Sequence, residues 1–339
     1  LLFCSMKRTV LFLSLLLGVF LVVILDYVAS NKADKVELRF NRFEKELFSV
    51  NPENVIERSN KWDKNFGSFN NVFTTQILQI YSPNKEEYYD GLLAFTQNRD
   101  MREAYDSTAL LFSDFSDIEY DLELAFGQFA AAFPSYPIPE VTTFFGGFNY
   151  GVVTYDNNIG IGLENFLGEN SKYYKYLGDP TYLRFQKQKR FILSNVMEVW
   201  FNEYFQEYLF DKDLLSQVVH KGKMMYFLDK MLPKLNMEDK FRFTVEQMTW
   251  VEENEASIWE YFIEEDLLFS KKEIEFRSFL NYAPFAKGMP NEAPGRVAFF
   301  IGYKMVSDYM KNNKIDIEEL MYLTDSREFL HNSKYKPTK

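Results

Sequence analysis

The chain has 339 residues, 47% of them hydrophobic with 15 glycines and 11 prolines, which is apolar material enough for one large domain or two small ones. A net charge of −11 with no basic stripe argues against nucleic acid or an anionic lipid surface as the main partner. Cys4 is the only cysteine, so an intrachain disulfide and a CxxC zinc site are both excluded. The 35 Phe and 22 Tyr read first as a large aromatic core and second as a sugar- or partner-binding surface.

In chain order, Met6-Lys7-Arg8 has the form of a start preceded by read-through residues, and the aliphatic run Thr9 to Leu25 follows it. Two basic residues and then an apolar run are the layout of a secretory signal, with Val28-Ala29-Ser30 as small residues for cleavage. The run is also at the lower length limit for a membrane anchor, so residues 1–30 read as a signal peptide or a retained anchor helix. Asn31 to Phe48 is expected to be a strand leading into a helix. Ser116-Asp117-Ile118-Glu119 has capping-box spacing for a helix over Ile118 to Phe133, stopped at Pro134.

The β-branched and aromatic segment over residues 141–163 is the one clear β region. It reads as Val141 to Phe145, a second strand Tyr150 to Tyr155, a turn at Asp156-Asn157-Asn158, and a third strand Ile159 to Leu163. Helices are then expected over residues 184–323: Arg184 to Leu209, Leu214 to Leu232 ahead of Pro233, Thr244-Val245-Glu246-Gln247 as a capping box opening a helix to about Phe269, Ala293-Pro294 to Asn312, and Asp316 to Leu323. The tail is basic and reads as extended. The fold class is therefore mainly α (α+β), with residues 31–339 as a single exported domain carrying one small sheet.

The block Ala293-Pro294-Gly295-Arg296, with Ile301-Gly302 and Tyr309-Met310, follows Asn281-Tyr282-Ala283-Pro284 and precedes the closing Asn332-Ser333-Lys334-Tyr335-Lys336-Pro337. Together with Leu214 to Pro233 and with Trp250, Asn254-Glu255, Ile258-Trp259 and Tyr261-Phe262, this resembles the GldB family of gliding-motility envelope proteins of the Bacteroidota. The resemblance runs from the β region to the chain end and is weak ahead of it. Pro294, Gly295, Arg296, Gly302 and Tyr309 are its signature residues. Members of that family carry a lipobox cysteine after the apolar run, whereas Cys4 lies before it, so this chain departs from the lipoprotein pattern.

The resemblance also implies a helical zinc-peptidase-like fold. Such enzymes place His-Glu-x-x-His on the helix after the sheet, two imidazoles on one face binding zinc and the Glu activating water. The corresponding residues here are Met197, Glu198 and Phe201, so the glutamate stands between two apolar ligand positions. Lys221-Gly222 occupies the place of a Glu-Gly pair that would supply a further carboxylate. The two histidines, His220 and His331, have no His-x-x-x-His spacing, and Met and Phe are not ligands for catalytic zinc. A Cys–His pair, a G-x-S-x-G elbow, a P-loop and a dinucleotide fingerprint are all missing from the sequence. No cofactor or metal is expected.

Two smaller features complete the reading. Glu252, Glu253, Glu255, Glu260, Glu264, Glu265 and Asp266 form an acidic run, read as a solvated helix face or a docking surface for a basic partner. Arg296 in a helix first turn is unfavourable against the helix dipole, which calls for a carboxylate partner such as Glu198 or an acid of that run. The resemblance implies a non-catalytic component of the gliding-motility and type IX secretion machinery. Such a component is membrane-associated through its N-terminal segment and acts by contact with other envelope proteins. The alternatives are a metal-dependent or other hydrolase with an unrecognised site, or a periplasmic peptide-binding or chaperone module.

Overall fold

Residues 35–209 and 212–338 are described by the computed structural model, so the expected signal or anchor and Cys4 lie outside the described residues. A short strand β1 (Phe40–Arg42) leads directly into helix α1 (Phe43–Leu47). Four helices follow: α2 (Val55–Phe66), α3 (Ser68–Val72), α4 (Lys85–Gln97) and α5 (Arg99–Leu111). Helix α6 (Ser116–Ala132) closes this half. The capping-box reading of Ser116 needs correction: Asp114 Oδ1 accepts from both Ser116 N and Ser116 Oγ, so the aspartate two residues earlier caps the turn and Ser116 is already helical.

The sheet contains β1, β2 (Val141–Phe144), β3 (Val152–Tyr155) and β4 (Asn158–Gly162) in the order β1-β2-β4-β3. β1, β2 and β4 run parallel, and β3 and β4 form an antiparallel hairpin. The hairpin turn is Asp156-Asn157, with φ of 47° and 58°, and Asn158 already pairs with Tyr155 in the ladder. Two consecutive positive φ values are what a two-residue type I′ turn demands, and Asp and Asn tolerate them. The sheet stands between two cores: Val141, Ile159 and Ile161 belong to the larger one, Phe144 and Tyr155 to the smaller one built with α1 to α5.

The larger core is made by α6, which brings Leu122, Phe126 and Phe129, together with the helices after the sheet. α7 (Lys172–Tyr176) and α8 (Thr181–Arg184) are short, and α9 (Ile192–Phe205) is the first long one. The expected single helix Arg184 to Leu209 is thus shorter, because Gln188 is extended and bridges to Leu167, which takes its neighbours out of helical geometry. α10 (Leu214–Met231) starts at Asp213, whose side chain accepts from Ser216 N. α11 (Met237–Phe241) leads to the Thr244 capping box, which is present with Gln247 as its reciprocal partner and opens α12 (Val245–Glu253).

The helix expected to run on to Phe269 breaks at Asn254, whose side-chain amide donates to the Trp250 carbonyl, and resumes as α13 (Glu255–Glu264). α14 (Glu273–Leu280) follows. The next helix, α15 (Val297–Asn312), begins after Arg296 rather than at Pro294, because Gly295 is pressed against the backbone of Asn281 and Ala283 and Arg296 sits in the left-handed region at φ 67°. α16 (Ile317–Tyr322) carries its own capping box from Asp316 and Glu319. The tail, expected to be extended, contains α17 (Ser326–Ser333), capped by Asp325. No described helix is long and apolar enough to cross a membrane.

Candidate functional site

Helix α9 is apolar on most of its circumference. Met197, Trp200, Phe201 and Phe205 are fully buried. Asn195, Glu198 and Asn202, spaced i, i+3 and i+7, form a partly exposed polar stripe. Met197 and Phe201 therefore point into the core, while Glu198 between them points out of it. Phe201 packs against His220 at 5.4 Å and Phe227 at 5.5 Å.

Two buried arginines meet Glu198. Arg242 is the left-handed C-cap of α11 and 3% exposed; Arg296 precedes α15 and is 2% exposed. Arg242 Nη2 forms an ion pair with Glu198 Oε2, and Arg296 Nη2 lies 3.5 Å from the same oxygen. Arg242 also donates to Asn195 Oδ1, and Arg296 Nη1 donates to the Tyr282 hydroxyl and, at 3.3 Å, to the Phe241 carbonyl. The Arg296 guanidinium lies 4.4 Å from the centroid of the Tyr282 ring and 4.0 Å from that of Phe299, an arrangement that planar, weakly hydrated Arg supports better than Lys. Arg296 thus has the carboxylate partner its sequence position called for, and a helix N-terminus that would repel it is offset by Glu198.

Burial lowers both arginines. Arg242 is brought down to about 10, chiefly by loss of water and further by Arg296, and it stays charged at neutral pH. One carboxylate consequently faces two guanidinium charges. A third cation comes from α10: Lys221 reaches the same region, with its ammonium 5.6 Å from the Phe299 ring centroid. Burial first and Arg296 second bring Lys221 down to about 8.

Clefts open on both sides of this cluster. One, of about 570 Å³, is lined by Glu198, Lys221, Phe276, Tyr282, Arg296 and Phe299 among others. The other, of about 670 Å³, includes Phe185, Gln186, Arg242, Tyr282, Pro294 and Gly295. Tyr282 forms a wall of both.

The remaining signature residues are packing elements. Gly302 touches Gly222 backbone to backbone, and Tyr309 stacks on Phe329 with ring centroids 4.1 Å apart. Arg242 escaped the sequence reading, and Tyr282 entered it only as part of the block ahead of Pro294, with no role at Glu198. The one signal for Arg242 is a charge set between Phe241 and Phe243 immediately ahead of a capping box, and its burial depends on contacts remote in sequence.

These residues do not fit a zinc site. Glu198 is engaged by two arginines, and Met197 and Phe201 lie in the core. Among the described residues no three of His, Cys, Asp and Glu are gathered as a metal ion would need. His220 is buried, with Nε2 lacking a hydrogen-bond partner and its pKa pushed down to about 3 by burial, so the ring is held neutral; His331 is exposed on α17. The acidic run is split as well. Glu255 is 1% exposed and accepts from Tyr335 Oη and Thr338 Oγ1, while the other six acids are exposed.

Residues 27–337 match the family model described as gliding motility protein GldB, which takes in the first half of the chain as well as the second. No curated protein and no solved structure matches the chain.

Proposed function

The chain belongs to the GldB family of gliding-motility proteins, and from that membership we propose a non-catalytic component of the cell envelope that serves gliding and the linked type IX secretion machinery. It acts through contacts with other envelope proteins, is held at the membrane by its N-terminal segment and does not engage nucleic acid. Its fold is that of a zinc peptidase that has lost its chemistry.

The observation carrying this reading is the double arginine contact of Glu198. A general base must offer a lone pair to the proton it removes. Here the carboxylate is engaged by guanidinium groups, and the residues beside it on the helix face a core. A glutamate so placed holds two helix termini together.

The test is motility. Cells whose own gene is deleted should regain gliding when they express Glu198→Gln at matched abundance. Loss of gliding with folded, abundant Glu198→Gln protein would mean that the carboxylate does chemistry.

A second reading, that the cleft binds a peptide, is favoured by one specific feature. The cleft beside Glu198 is walled by Phe276, Tyr282 and Phe299, and aromatic walls with a few polar groups are usual in peptide and ligand grooves.

A further inference from the structure

In a chain of net charge −11, the wall of the 570 Å³ cleft carries Lys221 and the buried Arg296 beside a single partly buried carboxylate, Glu198. Glu198 is already shared by Arg242 and Arg296, so it does not neutralise both. Arg296 Nη2 is buried in the cleft wall without a hydrogen-bond acceptor, its approach to Glu198 being 3.5 Å. Lys221, whose ammonium lies over the Phe299 ring, has no carboxylate within ion-pair reach among the described residues. A buried excess of positive charge is costly until an anion accompanies it. The same cleft offers apolar surface from Phe276, Leu280 and Phe299, and side-chain amides from Gln206, Gln217 and Asn281.

Cation, apolar wall and amide rim together describe an anionic group joined to an apolar body with peptide bonds nearby. We propose that this cleft captures the carboxyl terminus of a polypeptide whose last side chain is apolar, the carboxylate pairing with Lys221 in the field of Arg296 and Arg242 and the side chain resting on Phe276 and Phe299. Terminal carboxylates are recognised elsewhere by small sets of fixed donors of this sort. A carboxylate suits the site better than a phosphate, because a dianion would stand beside Glu198 and would need more donors than Lys221 and one guanidinium edge provide. The inference rests on the peptide-binding reading of the cleft and is independent of the motility role.

The experiment is thermal denaturation and calorimetric titration of the purified full chain in detergent with N-acetylphenylalanine, its amide and inorganic phosphate at millimolar concentrations. The expected result is a saturable rise in melting temperature with the acid alone. Lys221→Met should weaken that binding at least about tenfold, and Lys221→Arg should restore it. Both variants are first compared with the parent without ligand, so a folding defect is seen separately. An equal response to the amide would show an apolar groove with no carboxylate site. A response to phosphate alone would reassign the site to inorganic anions, and no response to any probe would dismiss it. None of these outcomes bears on whether Glu198→Gln supports gliding.

Discussion

Gly222 on α10 and Gly302 on α15 touch main chain to main chain: a Cβ on Gly302 would stand 2.1 Å from the Val218 carbonyl oxygen, and one on Gly222 would stand 2.2 Å from the Gly302 oxygen. No side chain fits there, and the neighbour that would have to yield is backbone. The crossing sets the geometry of the cleft, because Lys221 adjoins one glycine and Phe299 and Arg296 lie at the start of the other helix. Gly302→Ala should therefore cost about 1–3 kcal/mol, the usual range for overpacking. Urea denaturation would measure it. A change within error would mean that the two helices slide apart freely. Gly222→Ala combined with Gly302→Ala should cost less than the sum of the two, since the first substitution already separates the helices.

Breaking the buried pair at Glu198 should be expensive. Arg296→Met leaves Arg242 with the carboxylate but strips Tyr282 and Phe299 of the guanidinium they pack on, and removing one partner of a buried ion pair costs about 3–5 kcal/mol. The upper end is reduced here because Glu198 is partly exposed and keeps Arg242. A double-mutant cycle of Arg296→Met with Glu198→Gln should return a coupling energy of about 1 kcal/mol or more. Strict additivity would show that the 3.5 Å approach is incidental.

Two buried groups give stability opposite slopes with pH. Glu164 accepts from the Gly146 and Phe148 amides yet is pushed up to about 7, because loss of water outweighs those two bonds. Its folded-state value lies above the ordinary 4.5, so the folded form holds the proton longer and stability falls as pH rises from 4.5 to 7. His220, pushed down from 6.5 to about 3 by burial, does the reverse: stability falls as pH drops below 6.5. Glu164→Gln should remove the first slope, gaining up to about 3 kcal/mol on the parent between pH 4.5 and 7. His220→Leu should flatten the acid limb. Denaturation midpoints across pH 3 to 8 are the readout, and parallel curves for parent and Glu164→Gln would refute the assignment.

The chain end is fastened to the acidic run. Tyr335 Oη donates to Glu255 at 3.0 Å and Thr338 Oγ1 donates to the other oxygen, while Lys304 forms an ion pair with it. Tyr335→Phe should cost about 1.5–3 kcal/mol, the range for a hydrogen bond to a charged group. Amide exchange in α17 should accelerate with it. Unchanged exchange would place the anchorage of that helix elsewhere, for instance in the stacking of Tyr309 on Phe329.

Local signals were the legible ones. The helix expected from Leu214 to Leu232 is observed as Leu214–Met231 because both its stops are local: Asp213 caps one end and Pro233 blocks the other. The same holds for the capping box at Thr244 and the hairpin around Asp156-Asn157. The break at Asn254 was missed because the amide's choice of the Trp250 carbonyl competes with an otherwise continuous helical pattern. Glu255 reads as one acid in a solvated series, and its burial is explained only by partners remote in sequence, Tyr335, Thr338 and Lys304. Arg296 advertised a carboxylate partner through its helix-start position, whereas Arg242, 54 residues earlier by the two residue numbers, gave no comparable sign of sharing it.

On the proposed function, Glu198 is a structural carboxylate and the cleft beside it a binding surface without metal chemistry. The most direct test is zinc content of the purified full chain, measured alongside hydrolysis of a broad set of peptides by the parent and by Glu198→Gln. Zinc far below one equivalent and no cleavage by either protein is the predicted result. Stoichiometric zinc, or cleavage by the parent that Glu198→Gln abolishes, would contradict it.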